Sequence, residues 1–132
     1  MKYIIIVGCG KTGKTLALEL AQAHNVVVID RSRRALDSLG ETFNGKKILG
    51  DALNVAVLEE AGIKDADALI LVTGNDNFNI VVGKVAREMY KVKKVAFQVY
   101  EVNKKKIFSE QGLIVVNRTQ LLVEVFKKCI LS

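Results

Sequence analysis

Ile4-Ile5-Ile6-Val7-Gly8-Cys9-Gly10-Lys11-Thr12-Gly13 comes almost at the start of the chain, and the reading of everything after it depends on it. A β-branched apolar run feeds three glycines in G-x-G-x-x-G spacing. A helical pattern then runs from Thr12 to His24, and a second apolar run ends at Asp30. Strand, glycine turn, helix, strand and terminal acid in this register form a dinucleotide-binding fingerprint.

Each part has a physical role. Gly8 permits the tight turn, Gly10 keeps no side chain between backbone and pyrophosphate, and Gly13 lets the helix pack closely. The helix start presents unpaired N–H groups and a positive dipole end to phosphates. Asp30 falls about 20 residues beyond the glycines, where an acid accepts hydrogen bonds from ribose hydroxyls. A tight turn without a ligand is the plainer reading, but it leaves the position of the acid unexplained.

The 132-residue sequence as a whole fits one domain with a real core. Half of it is hydrophobic and it has no proline, which excludes disordered and collagen-like classes. No apolar run approaches the roughly 18 residues of a membrane span, so a cytoplasmic protein is expected. Cys9 and Cys129 are too few for a disulfide framework or a zinc site, and no metal is expected. Cys9 stands where a helix N-terminus can make a thiol reactive, but a small loop-filling residue is the preferred reading. The net charge of +6 is spread over separate clusters, Arg31 to Arg34, Lys91 to Lys94 and Lys104 to Lys106, without interleaved aromatics. A solvated surface explains them better than nucleic acid, which is not expected as a partner.

Six strands are expected at Lys2 to Val7, Asn25 to Asp30, Lys46 to Leu49, Ala68 to Val72, Lys94 to Tyr100 and Leu113 to Val116. Helices alternate with them: after the first, Ser32 to Thr42, Asn54 to Ala61, Phe78 to Tyr90, Asn103 to Gln111 and Thr119 to Ile130. This alternation predicts an α/β fold, a doubly wound Rossmann-like parallel sheet in order 3-2-1-4-5-6 with helices on both faces. On the first helix Leu16, Ala17, Leu20 and Ala21 are expected inward, on the fourth Ile80, Val81, Val85 and Met89. His24, at the amino end of its strand, reads as structural or exposed. Asp51 either meets the adenine end of a nucleotide or caps the following helix. Thr73-Gly74-Asn75-Asp76-Asn77 is either the second wall of a site at the topological switch point or an ordinary capped turn. The last helix carries a wide apolar face, Leu121, Leu122, Val125, Phe126, Cys129 and Ile130, suited to a partner subunit.

The glycine run, Val-Ile-Asp-Arg at residues 28–31, Gly50-Asp51-Ala52, Ala-Gly-Ile-x-x-Ala-Asp at 61–67 and Val-Thr-Gly-Asn-Asp-x-x-Asn at 72–79 resemble the regulator-of-potassium-conductance nucleotide-binding domain, also called the Trk or Ktr N-terminal domain. The resemblance implies a cytosolic regulatory subunit that binds NAD or NADH, or ATP, ADP or AMP. It implies a homodimer within an octameric ring that gates a membrane potassium transporter or channel; the smaller second lobe that follows in such regulators is not expected here, the chain being either a single-lobe member or part of a longer assembly. By position, Gly8, Cys9, Gly10, Lys11, Thr12 and Gly13 would hold phosphates, Asp30 and its neighbour Arg31 the ribose end, Asp51 and Ala52 the adenine region, and Thr73 and Gly74 the far side. Lys11 stands where arginine is frequent in the family, and Gln98 where many relatives carry arginine on strand five. The alternatives are a small NAD-dependent oxidoreductase, disfavoured by the lack of a catalytic motif, and a nucleotide-sensing scaffold unrelated to transport. Asp30 should repel a 2′-phosphate and so favour NAD over NADP, although Arg31 and Arg33 can offset this.

Overall fold

The apolar runs lie side by side as one parallel sheet. The computed structural model describes residues 1–101 and 112–132. Their elements are β1 (Tyr3–Val7), α1 (Lys11–Leu20), β2 (Asn25–Asp30), α2 (Arg33–Asp37), β3 (Lys46–Leu49), α3 (Val55–Glu60), a 3-10 turn (Ile63–Asp65), β4 (Ala68–Leu71), α4 (Asp76–Glu88), β5 (Lys94–Val99), β6 (Ile114–Asn117) and α5 (Arg118–Leu131). The strands stand in the expected order 3-2-1-4-5-6, every pair parallel. The helix expected at Asn103 to Gln111 lies outside the described residues. No helix among the described residues is long and apolar enough to cross a membrane.

The unbroken apolar character of β1 follows from burial on both faces. Ile5 and Val7 join one core with Leu58, Val82 and Phe97, while Ile4 and Ile6 join the other with Ala17, Leu36 and Leu39. Ile5 and Ile6 are fully buried, and burying each side chain contributes about 1.5–3 kcal/mol. Val7 lies level with Ile29 on one side and Leu71 on the other. The three central strands therefore end together at the carboxyl edge.

Several helices depart from expectation. α1 ends at Leu20, because the chain tightens there, with Gln22 N–H donating to Glu19 and Ala23 N–H to Leu20. His24 follows in a structural role, Nδ1 accepting from Lys2 N–H at 3.0 Å. α2 has only five residues. Ser32 caps its start as expected, and Gly40, at φ +78°, closes the turn that ends it. Leu36 and Leu39 still point inward.

The face of α4 needs correction. Ile80 is buried and Val85 packs partly buried on the core as expected, but Val81 and Met89 are exposed, and Asn79, Val82, Gly83 and Ala86 are buried instead. Proximity to the sheet explains it: a Cβ on Gly83 would stand 3.3 Å from Phe97 and 3.4 Å from Val95. Contact that close selects small residues over bulky ones.

Candidate functional site

The loop after β1 runs to α1 on one face of the sheet and the loop after β4 to α4 on the other. Such divergence opens a crevice at the switch point. A cavity of about 280 Å³ lies there, bordered by Val7, Gly8, Cys9 and Gly10 at its floor, Ile29, Asp30, Arg31, Gly50 and Ala52 on one side, and Val72, Thr73, Gly74 and Phe78 on the other.

The three glycines serve three separate needs. Gly8 takes φ +106°, and an added Cβ would stand 3.0 Å from the backbone of Val72 and Thr73. Gly13 packs on the loop itself, since a Cβ there would fall 1.8 Å from the Gly8 carbonyl oxygen. Gly10 is different: a Cβ would meet nothing within 4 Å. As the N-cap of α1 it supplies no side-chain acceptor, and the first turn holds no acid. The backbone N–H groups of that turn therefore form the positive end of the helix without a side-chain cap.

Asp30 is fixed by the backbone around it. Oδ2 accepts from Cys9 N–H at 2.7 Å and Oδ1 from Ser32 N–H at 2.8 Å. Each carboxylate oxygen retains a second lone pair, so a pair of vicinal hydroxyls can still be accepted. Cys9 is buried, and its thiol points away to the Ala35 carbonyl at 3.3 Å. Burial raises the thiol pKa, and the charge of Asp30 raises it further, against opposing pulls from Lys14 and Lys47. The thiol is thus an unreactive filler, as the plainer reading expected.

The opposite wall is held by buried amides. Asn79, fully buried, donates from Nδ2 to the carbonyls of Thr73 at 3.1 Å and Gln98 at 3.0 Å, and accepts from the Thr73 hydroxyl. Gln98 donates from Nε2 to Thr73 O at 3.0 Å. Asn75 caps α4 by accepting from Phe78 N–H. The stretch from Thr73 to Asn77 is therefore both a capped turn and a wall of the cavity.

The structure brings Gly8, Cys9, Gly10, Asp30, Arg31, Ala52, Thr73 and Gly74 to this cavity. Lys11 and Thr12 lie beside it on the first turn of α1, Gly13 lies behind the loop, and Asp51 is turned into its own loop. Asp51 accepts from Leu53 N–H at 2.9 Å, and Asn54, not Asp51, caps α3 through Ala56 N–H. The capping role considered for Asp51 is thereby corrected. Phe78 and Gly50 border the cavity although neither was expected as a site residue, Gly50 having stood only in the Gly50-Asp51-Ala52 motif. Phe78 entered the sequence reading only as the first residue of the expected helix, and only its place in the first turn of a helix after β4 marks it.

Chemically, the crevice offers a carboxylate for hydroxyls at one end, uncapped backbone donors for an anion in the middle, and an apolar and carbonyl-rich wall at the other end. The described residues contain no cluster of His, Cys, Asp or Glu able to hold a metal.

The TrkA-N domain family model matches residues 4–118. A Trk system potassium uptake protein TrkA from Streptomyces coelicolor is 38% identical over 112 residues, which is 84% of this chain and 50% of that protein. The chain thus spans half the length of this curated relative. The TrkA-N domain of an Escherichia coli inner membrane protein superposes with a TM-score of 0.87 at 24% identity, covering 98% of this chain and 96% of that one. The GsuK channel bound to NAD superposes with a TM-score of 0.77 at 22% identity, covering 92% of this chain and 22% of that one.

Proposed function

We propose, because this chain belongs to the TrkA-N domain family, that it is a nucleotide-binding regulatory domain of a membrane potassium transporter or channel. NAD or NADH, or an adenine nucleotide, lies across the carboxyl edge of the sheet. Its phosphates sit on Gly8 to Gly10 and the first turn of α1, its ribose on Asp30 and Arg31, and its far half against Thr73 and Gly74. The observation that carries this reading is Asp30, whose carboxylate is held at the cavity with lone pairs to spare, one strand from a glycine turn that no side chain fills. The NAD bound to the GsuK neighbour supports the choice of ligand class, and the names of the relatives support potassium transport and regulation over catalysis.

Regulation requires that the ligand bind two arrangements of the assembly with different affinity, since equal affinity shifts nothing. We assign the second arrangement to a homodimer that packs through the apolar face of α5, itself one unit of a larger ring on the cytoplasmic side of the transporter. Calorimetric titration with NAD and adenine nucleotides, paired with solution scattering, tests both parts. Binding with a changed dimer envelope is expected. Binding without any change would remove the switch, and no binding would remove the sensor.

A further inference from the structure

We infer that Arg118 is a phosphate-selecting residue of the crevice, taking the phosphates beyond the first and so separating nucleoside di- and triphosphates and dinucleotides from a monophosphate. The inference rests on the nucleotide reading above and deepens it. Arg118 is the first residue of α5 and lies 106 positions from Thr12 in sequence, yet its Nη1 donates to the Thr12 hydroxyl at 3.4 Å. That contact carries a guanidinium from the far edge of the sheet to the N-terminal turn of α1.

The arginine is presented on a fixed platform. Its Cζ stands 5.6 Å from the centre of the Tyr100 ring, within cation–π range. Tyr100 is pinned in turn: its N–H donates to the Asp76 carboxylate at 3.0 Å, and its carbonyl accepts from the Thr119 hydroxyl at 2.9 Å. Asn117, just before, caps α5 and donates to Glu101 O at 2.7 Å.

The charge at this point lacks an answer within the described residues. No carboxylate among them pairs with Arg118. The guanidinium instead sits at the positive end of α1, in whose first turn Lys11 stands and no acid does. Gathering like charge in one place is unfavourable until an anion arrives, and a planar guanidinium fits phosphate oxygens in pairs. Gln98, on β5, is a buried neutral amide that donates to Thr73 O and brings no charge.

Strand order then sets which phosphate is taken. Asp30 ends β2, the glycine turn follows β1, and Arg118 follows β6 across β4 and β5. A nucleotide with its ribose at Asp30 places its first phosphate at Gly8 to Gly10. Only phosphates further along approach Arg118.

The test is calorimetric titration of the whole chain with AMP, ADP, ATP and NAD at fixed ionic strength, using wild type, R118Q and R118K. R118Q should weaken ADP, ATP and NAD by roughly tenfold or more, the scale of a lost hydrogen bond to a charged group, while AMP stays within about twofold. R118K should recover part of the loss for ADP and ATP, because it keeps the charge without the fork. Unchanged affinities in R118Q overturn the inference, as does an equal loss for AMP, which marks a structural role. Wild type that binds none of the four defeats the nucleotide reading itself. Should R118Q fail to fold, wild type decides alone: ADP must bind more tightly than AMP and with the steeper salt dependence, and equal behaviour overturns the assignment.

Discussion

Two side chains at the glycine turn have opposite fates. Asp30 turns its carboxylate toward the cavity, whereas Cys9 turns its sulfur into the core toward Ala35. Replacing Asp30 with Ala should weaken ribose-containing ligands by about 1–3 kcal/mol in calorimetry, and undiminished affinity would contradict its role. The same change strands the N–H groups of Cys9 and Ser32, so Asp30→Asn, which keeps an acceptor, should melt closer to wild type. Cys9 yields a pH prediction. Because folding raises its pKa, the unfolded chain gives up the thiol proton first as pH climbs. The contribution of this thiol to stability is therefore complete below the unfolded value near 9 and is lost as pH rises through the folded one. Thiol-specific reagent at neutral pH should leave buried Cys9 unlabelled until the chain unfolds; fast labelling of Cys9 would show the turn to be open.

At the scale of elements, the glycine turn separates folding from binding. Gly13→Ala drives a Cβ into the Gly8 carbonyl and should cost about 1–3 kcal/mol in denaturant melts. Gly10→Ala meets no atom, so its stability cost should be about 1 kcal/mol or less, that of a poorer N-cap. If a phosphate approaches there, the same methyl should nevertheless abolish most nucleotide affinity. A Gly10→Ala protein that binds like wild type would refute the placement of the phosphates. The strands and their order were legible because Ile4 to Val7, Val26 to Ile29 and Ala68 to Leu71 are short apolar runs, each followed by turn chemistry. The inward face of α4 was not legible. Close approach to Phe97 selects Gly83, and the buried Asn79 answers carbonyls on other elements, which periodicity cannot represent. Arg118 was not legible for a related reason: only the assembled sheet brings it to Thr12, 106 positions away in sequence.

For the molecule as a whole, α5 is the element the rest of the structure leaves unburied. None of its fourteen residues is buried, and Phe126 and Ile130 are 63% and 78% exposed. A patch of that character is a protein-interaction surface more often than a solvated one. Leu122→Asp with Phe126→Asp should lower the mass in solution to that of one chain while leaving the melting temperature near wild type; an unaltered mass would place the contact between copies elsewhere. The apolar face was visible in sequence as Leu121, Leu122, Val125 and Phe126, but periodicity marks such a face without encoding what packs on it. Arg118, the first residue of α5, reaches Thr12 on the first turn of α1, the turn that follows the glycines, and so links the phosphate end proposed for the crevice to the helix proposed to join subunits.

A crystal of the chain grown with NAD tests the central claim most directly. The account predicts difference density across the carboxyl edge of the sheet, with phosphates on the Gly8 to Gly10 turn and adenosine ribose hydroxyls within hydrogen-bond distance of Asp30. An empty crevice at saturating NAD, or a ligand bound away from Asp30 and the glycines, would contradict it.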